Sequence, residues 1–122
     1  IQQDTDTFLL GYNIFDRITK EGRKYGIIMC FITQRPSELS TTCLSQCSNF
    51  VIFRLFHPED LKIVVSMSSN LTTQEIEKIK TLRPGSALVF GSAFRVPLMT
   101  RLNLPDPLPK STNVNLENIW YE

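Results

Sequence analysis

The chain has 122 residues, a formal net charge of +1, and apolar and charged fractions of 42% and 20%, the values of an ordinary globular domain, which set disordered and fibrous classes aside. So small a net charge supplies no overall field for drawing in a polyanion, and nucleic-acid binding would need a local patch or several copies arranged around a channel. No run approaches the ~18 apolar residues of a membrane span, and no charged leader with a small-residue cleavage site opens the chain, so a cytoplasmic protein without a membrane partner is expected.

Residue 1 is Ile, and residues 1–11 pass from polar to abruptly apolar with neither a helix cap nor strand alternation. This stretch reads as an entry segment from an upstream part. The first clear element covers residues 12–24. Ile14, Phe15 and Ile18 line one face, and Asp16, Arg17, Lys20, Glu21 and Lys24 occupy the rest, the stripe of an amphipathic helix. Gly22 weakens its last turn and Gly26 is placed to close it as a left-handed cap. Arg23 and Lys24 then have a simple reading as cations that favour the helix C-terminus. Asp16 and Glu21 fall on its solvated face, where nothing in the pattern suggests pKa tuning.

Residues 27–32, I-I-M-C-F-I, form an uninterrupted apolar run between Gly26 and a polar loop, the pattern of a strand covered on both faces, as in a parallel sheet. The run ends at Thr33-Gln34-Arg35-Pro36, where proline stops it. Polar residues at the carboxyl end of such a strand face the ligand crevice of an α/β fold. Ser40-Thr41-Thr42 caps a short helix to about Cys47, and residues 49–55 read as a second buried strand ending near Arg54. Two buried strands joined by a helix make a βαβ unit.

Pro58, Glu59 and Asp60 open a helix that runs to about Ser68. Thr72 and Glu75 stand at capping-box spacing ahead of an apolar stripe of Ile76, Ile79 and Leu82. Pro84-Gly85 marks a turn, and residues 86–90 and 94–100 read as a hairpin joined by Gly91-Ser92-Ala93. Residues 105–109, P-D-P-L-P, form a stiff connector. In the tail, Leu116, Ile119, Trp120 and Tyr121 cluster, either as an anchor on a partner or docked on the chain's own body.

Three cysteines, an odd number in or beside apolar segments, make no disulfide framework and read as small buried thiols in a reducing compartment. Cys43 and Cys47 lie one helical turn apart and His57 is the only histidine, too few ligands for a metal site, so none is assigned. The chain carries no G-x-x-x-x-G-K-[ST] phosphate loop, no G-x-G-x-x-G, no nucleophile elbow and no H-E-x-x-H. A self-contained catalytic constellation is therefore missing.

The run from Phe15 to Arg54, with G-R-K-Y-G, T-Q-R-P-S and L-S-Q-C in this order, resembles the C-terminal half of the RecA-like core of HerA-type ATPases, relatives of the FtsK translocases. The later L-R-P-G-S-A-L-V-F-G resembles that family's final strands. The resemblance implies an α/β P-loop NTPase core over residues 12–104, with parallel central strands flanked by helices and a closing antiparallel hairpin. Residues 105–122 would then be a connector and tail that brace a neighbouring subunit. It further implies a homo-hexamer around double-stranded DNA, using ATP and Mg2+ whose main ligands lie upstream, with a nuclease or phage-defence effector as partner. By the same resemblance Gln34 is the polar sensor of the γ-phosphate and attacking water. Arg23 is the arginine finger projected into a neighbour's nucleotide, with Arg17 as its alternative. Lys24 and Arg35 are secondary nucleotide contacts, Arg35 equally a brace for its loop. Phosphoryl transfer is catalysed by positioned water and by cationic charge on the equatorial oxygens, which suits these residue types. The rival expectation is a non-catalytic interaction module, a split or degenerate ATPase half that lends a surface to an assembly.

Overall fold

A computed structural model describes residues 14–68 and 70–110. The expected entry segment, residues 12 and 13 of the first helix, and the tail cluster with Trp120 lie outside the described residues. In chain order the elements are helix α1 (Ile14–Glu21), 3-10 turns at Gly22–Tyr25 and Pro36–Glu38, helix α2 (Thr41–Gln46), strand β1 (Asn49–Ile52), helices α3 (Pro58–Met67) and α4 (Thr73–Ile79), and strands β2 (Ser86–Gly91) and β3 (Leu98–Arg101). No helix among the described residues is long and apolar enough to cross a membrane.

Local signals in the sequence set most helix ends. Ser40 caps α2 by accepting from the Cys43 amide at 3.0 Å. Thr72 and Glu75 close the expected capping box on α4, with the Thr72 amide donating to Glu75 Oε2 at 2.7 Å and the Glu75 amide to Thr72 Oγ1 at 3.3 Å. Gly26 takes the left-handed conformation, φ 69°, that ends the turn after α1, a conformation a side chain disfavours. The last turn, from Gly22 onward, tightens to 3-10 geometry, as helix ends often do.

The three strands form one antiparallel sheet in the order β1-β2-β3. This corrects the expected parallel βαβ arrangement. β1 pairs with β2 from Asn49 opposite Gly91 to Ile52 opposite Leu88, and it stops three residues short of Leu55. Residues 27–32 form no strand. Their side chains are largely open, with Ile28 and Ile32 each 94% exposed, and among the described residues no strand lies beside them to complete a ladder. A strand exists only where a neighbour takes up its amides and carbonyls, so an apolar run without one stays extended and irregular.

β2 is the central strand and its four middle residues, Ala87, Leu88, Val89 and Phe90, are all buried. On one face Ile52, Leu88 and Phe90 pack with Leu61 and Val64 of α3 and Ile79 of α4, flanked by Phe50, Leu55, Met67 and Leu71. The cross-strand rings of Phe50 and Phe90 stack with centroids 5.0 Å apart. The β2–β3 hairpin is present as expected, but its loop is longer than Gly91-Ser92-Ala93 and β3 begins only at Leu98. The cause is at Gly91, φ 133°, where an added Cβ would lie 2.3 Å from the Ser48 carbonyl oxygen. There the Ser92 amide donates to that same oxygen at 2.9 Å and the Ala93 amide to Asn49 Oδ1 at 2.8 Å. The chain is thus drawn toward β1 before it turns back.

Ile79 is fully buried between α4 and the sheet, so Ile79→Ala is expected to cost about 2–5 kcal/mol through lost transfer energy and a residual cavity. A urea titration of the full-length protein carrying the substitution checks this.

Candidate functional site

The later part of the segment from Gly22 to Ser40 is held by two carboxylates, one from α1 and one from α3. From α1, Asp16 Oδ1 accepts a short hydrogen bond from the Ser40 hydroxyl and another from Cys43 Sγ at 3.0 Å. The N-cap of α2 is thereby tied to α1. Asp16 is held below the ordinary carboxylate range, first by the Cys43 hydrogen bond and then by Ser40. Burial raises the Cys43 thiol, and its bond to Asp16 raises it further. The sequence pattern had put Asp16 on a plain solvated face, and these contacts correct that reading.

From α3 comes Asp60, 1% exposed in the first turn of that helix. Its Oδ2 accepts from Arg35 Nε at 3.0 Å and its Oδ1 from the Ser37 amide, also at 3.0 Å. Burial pushes the carboxyl up, but the bonds from Ser37 and Arg35 outweigh it and hold it below the ordinary value. The loop has internal ties as well. The Arg35 amide donates to Thr33 Oγ1 at 3.0 Å, the Glu38 amide to the Arg35 carbonyl at 3.0 Å, and the Leu39 amide to the Pro36 carbonyl at 3.1 Å.

Four of the sequence-derived site residues lie on this segment. Arg23 and Lys24 are exposed on the 3-10 turn after α1, and no ion pair among the described residues holds either one. Arg17, the alternative finger, pairs with Glu21 one turn on at 3.6 Å, both side chains being open to solvent. Gln34 is exposed at the bend of the loop. Arg35 stands directly after it, turned to Asp60, the bracing geometry expected as one of its two roles. No hydrogen bond or ion pair joins Arg23 to Gln34 among the described residues, so the two present separate polar points on either side of residues 27–32.

The cysteines are free, as expected, but Cys30 is exposed, so the expectation of uniformly buried thiols fails there. The exposed His57 precedes α3 without capping it through its side chain. Among the described residues no three His, Cys, Asp or Glu side chains group to hold a metal ion. This sequence has no phosphate loop. What Arg23, Lys24 and Gln34 offer is two exposed cations and an exposed amide, the chemistry of contacts to a phosphate presented from elsewhere.

Sequence reasoning missed Asp60, which it treated with Glu59 as a favourable first-turn charge. The available signal was helical phase. Asp60 lies four residues before Val64 and seven before Met67, on the stripe that faces the core. A carboxylate on that stripe needs partners, and the nearby T-Q-R-P-S loop supplies them.

No family model matches the chain. Its relatives are helicases. A probable helicase of Methanocaldococcus jannaschii is 36% identical over 104 residues, 85% of this chain and 20% of that protein. The DNA double-strand break repair helicases HerA of Sulfurisphaera tokodaii and Pyrococcus furiosus are 31% identical over 104 residues and 35% over 89, covering 85% and 73% of this chain and 21% and 16% of their own. The chain is thus a homologue of the HerA-family DNA double-strand break repair helicases over most of its length, and it spans about a fifth of the length of these relatives.

The depressed Asp60 carboxyl contributes stability that is complete above its unfolded pKa of about 4 and is lost as pH falls through the lower folded value. Asp60→Asn keeps an acceptor for the Ser37 amide but removes the charge. The acid limb of a stability-against-pH curve for the full-length protein is expected to flatten in this variant, with the neutral plateau lowered. An unchanged acid limb would contradict the assignment.

Proposed function

We propose that this chain is part of a P-loop NTPase motor that couples ATP hydrolysis to movement along double-stranded DNA. The observation that carries this reading is the 36% identity over 104 residues to a probable helicase, supported by the repair helicases HerA that align over the same region. In the assembled enzyme the nucleotide and Mg2+ are held by sequence outside this chain, and the chain lends auxiliary groups. Gln34, exposed on a loop fixed at both of its neighbours' contacts, orients the attacking water and senses the γ-phosphate. Arg23, exposed and free of an ion pair among the described residues, reaches a neighbouring subunit's nucleotide in a homo-hexameric ring, with Lys24 as a second cation beside it. Arg17 is the lesser choice because Glu21 already engages it. A nuclease or another effector is the expected protein partner of such a motor.

The same reading explains residues 27–32. Their exposed apolar side chains belong to a central strand whose neighbours lie in the remaining sequence of the full-length protein. In that protein Ile28→Ala is expected to cost about 2–5 kcal/mol, the cost of a core truncation, although Ile28 is 94% exposed in this chain alone. Chemical denaturation of the full-length variant measures it, and a change within about 0.5 kcal/mol, ordinary for a surface site, would remove the strand from the core.

ATP turnover of the full-length protein, measured with and without duplex DNA, tests the motor directly. DNA-stimulated turnover is expected, and Arg23→Ala is expected to lower kcat by roughly 10³-fold while nucleotide binding persists, the scale of a trans-acting arginine. Turnover retained in Arg23→Ala and lost in Arg17→Ala would move the finger to α1. No turnover under either condition would leave the chain as a non-catalytic module of an assembly.

A further inference from the structure

We infer that Asp60 is a positioning residue for the hydrolytic step, acting on Gln34 through Arg35 and Ser37; this rests on the sensor role proposed for Gln34. Gln34 is exposed, so its own packing does not fix its direction. Its backbone is set by what holds the residues after it. Arg35 and Ser37, one and three positions on, both donate to the two oxygens of a single carboxylate, each at 3.0 Å. The bonds of Arg35 to Thr33, Glu38 to Arg35 and Leu39 to Pro36 lie within the loop itself. They shape the loop without attaching it to another element. Asp60 ties it to α3 beside the buried Pro36, three residues before Ser40 is tied to α1, and Asp60 is immobile because it is buried in the first turn of α3, whose Leu61 and Val64 are seated in the core.

The bidentate use of one carboxylate matters for direction as well as strength. Donors from a side chain and a backbone amide two residues apart constrain rotation of Pro36 between them, and the Arg35 amide's bond to Thr33 Oγ1, which spans Gln34, carries that constraint back to it. Arg35 is 42% exposed while Asp60 is 1% exposed, so the pair lies at the boundary between the core and the open loop. A displacement of α3 would therefore be passed to the loop that carries Gln34. The same geometry commits Arg35 Nε to the protein, which makes Arg35 a spacer between α3 and Gln34 in preference to a nucleotide ligand.

A positioned water is sensitive to small errors, and a misplacement near 1 Å can cost roughly 100-fold in rate. In the full-length enzyme Asp60→Asn is expected to lower kcat about 10- to 100-fold, with KM for ATP and the assembly state unchanged. The decisive variant is the double one. If Asp60 acts through Gln34, then adding Asp60→Asn to Gln34→Ala changes kcat by less than about twofold, because coupled residues are not additive. A full additional loss in the Gln34→Ala background would show a general structural role and overturn the inference. If Asp60→Asn fails to fold, Arg35→Lys carries the same test at the half-exposed partner, since lysine lacks the Nε donor. A raised KM in that variant would place Arg35 on the nucleotide and overturn its role as a spacer. Gln34→Ala slowing turnover while Asp60→Asn does not would refute the inference alone. Gln34→Ala turning over like the wild type would remove the sensor role, and the inference would fall with it.

Discussion

A carboxylate removed from water must be met on both oxygens, and Asp60 meets this condition only because a loop comes to it. Burying an ionised group without partners costs several kcal/mol, while removing one partner of a buried pair leaves that cost uncompensated. With Arg35 on one oxygen and the Ser37 amide on the other, the charge is tolerated, and its place in the first turn of α3 also suits the helix dipole. The dependence runs both ways. The loop has no ladder of its own, and its position relative to the core is that of the carboxylate it donates to. Much of what is distinctive here, the exposed Gln34, the committed Arg35 and the 3-10 turn at Pro36–Glu38, follows from that one requirement.

Asp16 plays a comparable part a few residues further on, at Ser40 and Cys43, with a different balance. It is fed by a hydroxyl and a thiol in place of a guanidinium and an amide. Its partners are the capping residue of α2 and the buried Cys43, so α1 and α2 are held together by polar contacts while the apolar side chains Ile14 and Phe15 remain exposed. Between α1 and the contacts to Asp60 the chain runs through a turn bearing Arg23 and Lys24, a largely exposed apolar stretch, and the loop bearing Gln34. An uncovered apolar stretch suits contact with other sequence, and the matched helicases extend well beyond this chain, the aligned part being 20% and 21% of two of them.

Helix positions were largely legible from residue order. Ser40, the Thr72–Glu75 box, Pro58 and Gly26 act within a few residues of themselves, and local hydrogen bonds and backbone preferences suffice to place them. The hairpin was legible in kind, although the depth of its loop was not, because that depth depends on Ser48 and Asn49 at the start of β1. The candidate site was legible in part. Gln34 and Arg35 were singled out by their place after an apolar run and by family resemblance. Asp60 was passed over, since a first-turn acid is ordinary and only its phase with Val64 and Met67 marks it as inward-facing.

The amino-acid sequence by itself determined the helix caps, the turn glycines, the homology to helicases and the absence of a phosphate loop, all properties of residues close together or of motifs read as strings. Tertiary structure alone decided the direction of the strands, the fate of residues 27–32 and the identity of the carboxylate under the Gln34 loop. The reason is that an apolar run encodes a demand for burial and a backbone demand for partners, but not which partner meets them. Residues 27–32 find no neighbouring strand among the described residues, β1 finds β2 running antiparallel 36 to 42 positions later, and Arg35 finds its acceptor 25 residues away.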